Sequence, residues 1–410
     1  MKKSLLNLIL RGLSVIIKFL LTTYLAKNLP DYEYGEYSLF AFSISFFTIL
    51  VGMEYFNYNA RIFLEEKEDP FKVLNKQFQF HLGSYLFTLP IVSLLFVFNG
   101  LAFKWMIGFY LILVIDQLAQ EIVRIVVLYG RPLTGTTLFF IKSSLWFVPL
   151  IALVQISPME INLHLVFVFW LVGAVISLGI GIFTLSRIIP FKSFDLRPNW
   201  SDLKLQAYKA APFLLATLSA RGLMTFDKYI LKYTSGEAMV GVMSFYFVFA
   251  MMMLTAVEAA ISAIYFPDLV RGYNNGDNKK VKIIRRKMFF GITIIFAAAV
   301  LFSYMAFDYV LRYLDKSSFA DNKNLLYIYL VAVAFQCYTL LPHYKLYAYK
   351  EDIKILTTHL IAFICGLLLY FWMGSAHGAV GIALSFGIAS LLLFGFKSVA
   401  AYRLNGRIIK

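Results

Sequence analysis

Twelve apolar windows, each near the 20 or so residues that a helix needs to cross a hydrocarbon layer, follow one another along this chain of 410 residues. They fall at about 4–26, 36–56, 77–98, 105–127, 137–156, 163–186, 206–232, 238–266, 287–307, 324–344, 354–373 and 377–401. A spanning segment must satisfy its backbone hydrogen bonds internally, so these windows are predicted to be helices. The expectation is an all-α, polytopic membrane protein of about twelve transmembrane helices. Only 15% of the residues are charged, against roughly 25% in soluble domains, and no polar stretch is long enough for an ATPase domain. No G-x-x-x-x-G-K-[ST] loop is present, which argues against nucleotide-driven chemistry. Cys337, Cys365 and the five histidines show no metal-ligand spacing, so neither a metal nor another cofactor is expected. Met1-Lys2-Lys3 leads into an apolar stretch too long for a signal core, so the first helix is expected to be retained.

Charge fixes the orientation. With the first segment inside, the inner segments hold 25 lysines and arginines and the outer loops 6. Shifting the count by one helix destroys this asymmetry, so both termini are predicted to be cytoplasmic. The net charge of +15 is then mainly a topology signal. It calls for no nucleic-acid partner, though anionic membrane lipids suit the same face. The segment from Arg271 to Lys287 reads as a basic connector lying on such lipids.

Seven basic residues lie within the windows: Arg11, Lys18, Arg124, Lys142, Arg221, Lys228 and Lys397. A charge at mid-bilayer costs about 3 kcal/mol, so each must snorkel, pair or meet water. Arg11 and Lys18 are seven apart and share one helix face, as do Arg221 and Lys228. Four acidic residues accompany them, Asp116, Glu121, Asp227 and Glu258, which leaves an interior excess of +3 and favours an anionic cargo. Arg11, Lys18, Arg61, Arg124, Arg221 and Lys228 are the candidate substrate-binding residues, because guanidinium forks and ammonium groups both hold phosphate oxygens. Each has a structural alternative: Arg11 snorkels, Arg61 touches headgroups, Arg124 pairs with Glu121, and Lys228 pairs with a carboxylate such as Asp227. Lys142 and Lys397 are read as snorkelling to the cytoplasmic interface. Asp116 and Glu258 are the candidates for proton or sodium coupling, with a hydrogen-bonded structural carboxyl as the alternative.

Arg11-Gly12-Leu13 with Lys18 reappears as Arg221-Gly222-Leu223 with Lys228, and Gly35 and Gly241 open the helix after each. The chain is therefore read as a six-helix lobe over 1–189, a cytoplasmic linker over 190–205 and a second six-helix lobe over 206–410. Two related halves with a site between them are a recurrent transporter plan.

Three stretches carry a resemblance. They are Leu29-Pro30-Asp31-Tyr32-Glu33-Tyr34-Gly35-Glu36-Tyr37-Ser38, then Gly52-Met53-Glu54-Tyr55-Phe56-Asn57-Tyr58-Asn59-Ala60-Arg61, and Asp227-Lys228-Tyr229-Ile230-Leu231 followed by Val240-Gly241-Val242. In them the chain resembles the bacterial O-antigen and capsule repeat-unit flippases of the multidrug/oligosaccharidyl-lipid/polysaccharide exporter superfamily. The resemblance implies a two-lobed, MATE-like transporter of the bacterial inner membrane. It would move undecaprenyl-pyrophosphate-linked oligosaccharide across the bilayer by alternating access, for lipopolysaccharide, capsule or exopolysaccharide synthesis. A polysaccharide polymerase and a chain-length regulator would be its partners, and it would not be an enzyme. Two alternatives stand beside this reading. A polymerase or ligase would need a larger outer loop than 308–323. An ion-coupled multidrug exporter of the same fold would prefer an acidic or apolar interior.

Overall fold

The computed structural model describes residues 2–56, 70–157, 159–189, 197 and 200–404. Among these the chain is helical, with no strand. The elements are α1 (Lys2–Asn28), α2 (Asp31–Gly52), α3 (Pro70–Val97), α4 (Met106–Leu128), α5 (Pro132–Phe140), α6 (Phe147–Ile156), α7 (Leu163–Ser186), α8 (Trp200–Leu223), α9 (Phe226–Val257), α10 (Ala263–Asn274), α11 (Asn278–Leu314), α12 (Ser317–Ala320), α13 (Asn324–Ala348) and α14 (Asp352–Tyr402). Single π-helical turns join α5 to α6 (Ile141–Leu145) and α9 to α10 (Glu258–Ser262). Local chemistry sets several ends. Pro132 opens α5, where a missing N–H costs nothing. Asn162 accepts from the Leu165 N–H at 3.0 Å to cap α7, and Asp277 accepts from the Lys280 N–H at 2.9 Å to cap α11.

Nine helical stretches of the described residues are long and apolar enough to cross a membrane. Two of them reverse direction at a glycine. Gly236 has φ 82° and ψ 170°, and Gly378 has φ 55° and ψ −135°, conformations that a side chain disfavours. Beyond Gly236 the chain doubles back, because the Lys228 Nζ lies 4.2 Å from the Phe247 ring centre, whereas 19 residues of straight helix would separate them by about 28 Å. Across Gly378, Gly374 and Ile382 face one another, with a Cβ on Gly374 only 3.0 Å from the Ile382 side chain. Helix α4 is of spanning length, 23 residues, but carries Asp116, Glu121 and Arg124. Counting both arms of each reversal together with α4, the protein is a polytopic membrane protein of about twelve transmembrane helices.

Contacts divide the chain into two compact units. The first comprises Met1–Leu21 and Leu39–Arg221, the second Thr22–Ser38 and Gly222–Lys410. The division therefore cuts α1 internally and falls near the end of α8, at the two Arg/Lys-bearing segments of the sequence repeat. Most of the stretch read as a linker, and residues 57–69, lie outside the described residues.

The first unit is cored by aromatic stacking: Phe40 lies 3.9 Å from Phe167 and 5.1 Å from Phe109, which meets Phe96 at 5.6 Å. In the second unit, the Leu29 to Ser38 motif has a structural task. Lys316 donates to the Leu29 carbonyl at 2.5 Å and pairs with Asp31 at 2.9 Å, Ser318 donates to Asp31 at 2.5 Å, and the buried Tyr34 ring rests on Phe319. Gly35 and Gly241, singled out as repeat markers, meet face to face: a Cβ on Gly241 would stand 3.0 Å from the Gly35 nitrogen. A Cβ on Gly35 would fall 1.8 Å from the Glu237 carbonyl oxygen, a backbone atom with nowhere to go. Gly35→Ala should therefore destabilise this crossing by about 2–3 kcal/mol, the upper range for overpacking. The loss should appear as a lower melting temperature of the detergent-solubilised protein; an unchanged midpoint would refute the close approach.

Candidate functional site

Several ionisable residues of the first unit gather into a network on α1, α3, α4, the α5–α6 junction and the ends of α2 and α8. Its centre is α4, where Gln117, Glu121 and Arg124 share one helix face and Asp116 adjoins it. Lys142 sits in the π-turn, only 4% exposed, and donates to the Asp116 carboxylate at 2.7 Å and to the Asp116 carbonyl at 3.2 Å. A π-turn inside a helix is a local distortion that recurs at functional positions. Lys142 thus does not snorkel. The reach of its stem is satisfied inward, where a carboxylate offsets the desolvation that an unpaired ammonium would suffer.

Next to Asp116 on α4, the Gln117 Oε1 accepts from the Tyr85 hydroxyl. Glu121, buried, accepts from the Gln77 Nε2 at 2.7 Å and pairs with Arg124 at 3.3 Å, and the His81 Nε2 lies 3.7 Å away. Arg124 also reaches Glu54 at 3.7 Å. Glu54 is 6% exposed and follows Met53 in a left-handed pair, φ 51° and 49°. Such residues cost about 1 kcal/mol or more each in this region, and the turn holds the Glu54 carboxylate against α4. The interior balance of +3 omitted this buried glutamate, so the charge excess of the network is smaller than the sequence suggested.

Two cations of the network are accessible. Ser14, on the same face of α1 as Arg11 and Lys18, is buried, and its carbonyl receives the Ser144 hydroxyl at 3.4 Å. The face carrying Arg11 and Lys18 is thus turned toward the α5–α6 junction. Lys18 stands over the Phe139 ring at 5.6 Å, and the charges of Lys142, Asp116 and Arg221 act on it. Lys18 and Arg221 both keep exposed surface, as does Arg11, and Arg221 also acts on Glu54. Among the described residues the network therefore holds four cations, Lys18, Arg124, Lys142 and Arg221, and three carboxylates, Glu54, Asp116 and Glu121. Lys142 is buried, Arg124 is partly buried, and Lys18 and Arg221 are exposed.

The remaining candidates stand elsewhere. Lys228 and Asp227, in the second unit, are both 0% exposed and form an ion pair at 2.9 Å, with the Met224 carbonyl and the Phe247 ring closing the ammonium in. Glu258 opens the second π-turn and is exposed. Arg61 lies outside the described residues. Lys397, expected to snorkel, is 2% exposed and meets His343 and His359. Sequence reasoning did not single out Glu54, Gln77 or Tyr85. Glu54 was legible only as an acid at the end of an apolar window, while Gln77 and Tyr85 sit at ordinary helical positions. Among the described residues no cluster of three or more His, Cys, Asp or Glu could hold a metal ion.

No protein-family profile and no curated protein sequence matches the chain. Solved structures do. An inward-facing multidrug-resistance MATE transporter of the MOP superfamily superposes with TM-score 0.73 at 14% identity, over 98% of each chain. The lipid II flippase MurJ in an inward-closed conformation gives 0.75 at 14% identity, over 97% of this chain and 87% of the other. The chain has the MATE-like fold of these exporters. A MOP-superfamily transporter from Pyrococcus furiosus, described by the reverse polarity of its binding pocket, gives 0.64 at 15% identity, over 99% of this chain and 97% of the other.

Proposed function

We propose that this protein is a flippase that carries an anionic, lipid-linked oligosaccharide, of the undecaprenyl-pyrophosphate class, across the bacterial inner membrane. The observation that carries the reading is the gathering of Lys18, Arg124, Lys142 and Arg221 in one region of the first unit, with Lys18 and Arg221 exposed there. A guanidinium beside an ammonium suits the oxygens of an incoming pyrophosphate. The fold supports the same reading, since one structural neighbour is described as a lipid II flippase. Another is described by a binding pocket of reversed polarity, so this architecture accommodates more than one sign of charge in its site.

Deleting the gene in its host tests the reading. Single lipid-linked repeat units should accumulate on the cytoplasmic leaflet, and surface polysaccharide should fall to less than about a tenth. Unpolymerised units building up on the outer leaflet would instead identify a polymerase. A drug-sensitive null strain with normal surface glycan would favour the multidrug exporter, the role described for another neighbour of the same fold.

A further inference from the structure

The second unit holds a cluster that the cargo reading does not use. Lys397 on α14, 2% exposed, directs its ammonium to the His343 Nδ1 on α13 at 3.3 Å and to the His359 Nε2 on α14 at 3.2 Å. The His359 Nδ1 lies 2.9 Å from the Ile355 carbonyl oxygen, which can only accept. That bond places the His359 proton on Nδ1 and leaves Nε2 as an acceptor for the lysine. The two rings stand 6.3 Å apart and near perpendicular. Three nitrogen bases thus surround one buried position.

No carboxylate reaches this cluster among the described residues. The charge acting on both imidazoles is that of Lys397. Ionisable groups on the packed elements are engaged elsewhere. Lys345 donates to the Ala401 carbonyl at 2.8 Å, and Lys354 pairs with Glu351 at 2.9 Å. Tyr344 packs on Phe266 of α10 at 4.6 Å and next to His343, and Glu258 acts on Cys337 and Tyr344. Arg285 of α11 acts on Tyr273 and Lys345. This contrasts with Lys142 and Lys228, each of which has its own aspartate. A buried ammonium without a counter-ion is stable in few arrangements, so the charge state of the triad depends on its surroundings.

We propose that Lys397, His343 and His359 form a proton-binding site, where one proton added to the neutral triad makes a cation shared among three nitrogens, and that its loading drives the transport cycle. The lysine is sealed, while both imidazoles keep part of their surface exposed, which gives the proton a way in. The coupling half of the proposal rests on the flippase reading; the proton site itself does not.

The test uses the purified full-length protein in two measurements. Infrared difference titration with 15N-labelled histidine, without cargo, should show a reversible step in the imidazole bands between roughly pH 5 and 9, as the triad takes up its proton and the hydrogen bonds to the two rings change. His343→Asn and His359→Gln each keep an acceptor near the replaced nitrogen but cannot take the proton, and they should remove the step, as should Lys397→Met. In liposomes, flipping of a fluorescent undecaprenyl-pyrophosphate disaccharide by the native protein should change at least about threefold across that range. The Asn and Gln variants should flip it at a rate indifferent to pH. A merely structural triad would leave their pH profile like that of the native protein, which overturns the coupling. Absence of the infrared step in the native protein overturns the proton site. If the probe is not flipped at any pH, the flippase reading fails and the infrared result alone decides the site.

Discussion

Arg221→Ala and Lys18→Ala, each inserted at the native level, should reduce surface-polysaccharide export to less than about a tenth, while lipid-linked units accumulate on the cytoplasmic leaflet. Both residues are accessible and lie within each other's electrostatic reach, so either truncation leaves an incoming pyrophosphate with half its local charge. A charge-assisted hydrogen bond contributes roughly 1.5–3 kcal/mol, and each 1.4 kcal/mol is about tenfold in an equilibrium constant. Arg221→Lys should retain partial export, because the charge survives and the planar fork is lost. Lys18→Arg should be tolerated best, since a fork can replace a point charge where the floor is an aromatic ring. The measurement is the amount of surface glycan in a complemented null strain, normalised to membrane-inserted protein. Full complementation by both alanine variants would remove the cationic pair from the mechanism.

The second large effect concerns stability. Asp227→Ala would take the carboxylate from the Lys228 ammonium, which is 0% exposed and also contacts the Met224 carbonyl at 2.9 Å and the face of Phe247. Removing one partner of a buried pair costs about 3–5 kcal/mol, because the survivor keeps its desolvation penalty. Lys228→Met alone strands the Asp227 carboxylate and should cost a similar amount. The double variant Asp227→Ala/Lys228→Met removes both charges and should recover most of the loss, since the apolar side chain can occupy the space over Phe247. Thermal unfolding in detergent, run as a double-mutant cycle, reads the coupling directly. Additive losses in the double variant would show that the two residues do not act as a pair. The same experiment separates roles: Lys228 was expected among the substrate cations with pairing to a carboxylate as the alternative, and its ammonium lies 2.9 Å from the Asp227 carboxylate.

Much of this was visible in the residue order. The two reversal points lie where the windows 206–232 and 238–266, and 354–373 and 377–401, are separated, because the hydropathy gap and the glycine coincide at Gly236 and Gly378. The charges of α4 were legible from the sequence alone, as ionisable residues inside an apolar window. Partners were not legible. Lys142 and Lys397 both read as snorkelling lysines, and the structure gives one an aspartate and the other two histidines. The difference lies on other helices, 26 positions away for Asp116 and 54 and 38 for the histidines. Glu54 escaped notice because its importance comes from a left-handed turn that places it beside Arg124, and backbone conformation of that kind has no sequence signal except at glycine.

The residue order by itself determined that this chain crosses a membrane many times, because a helix must be apolar over a fixed length to lie in hydrocarbon and that requirement is written residue by residue. It also determined that charges enter the interior. Only the tertiary structure decided which of those charges are silent and which are open, because a buried ion is neutralised by whatever folding brings within about 4 Å, and that neighbour comes from a distant part of the chain.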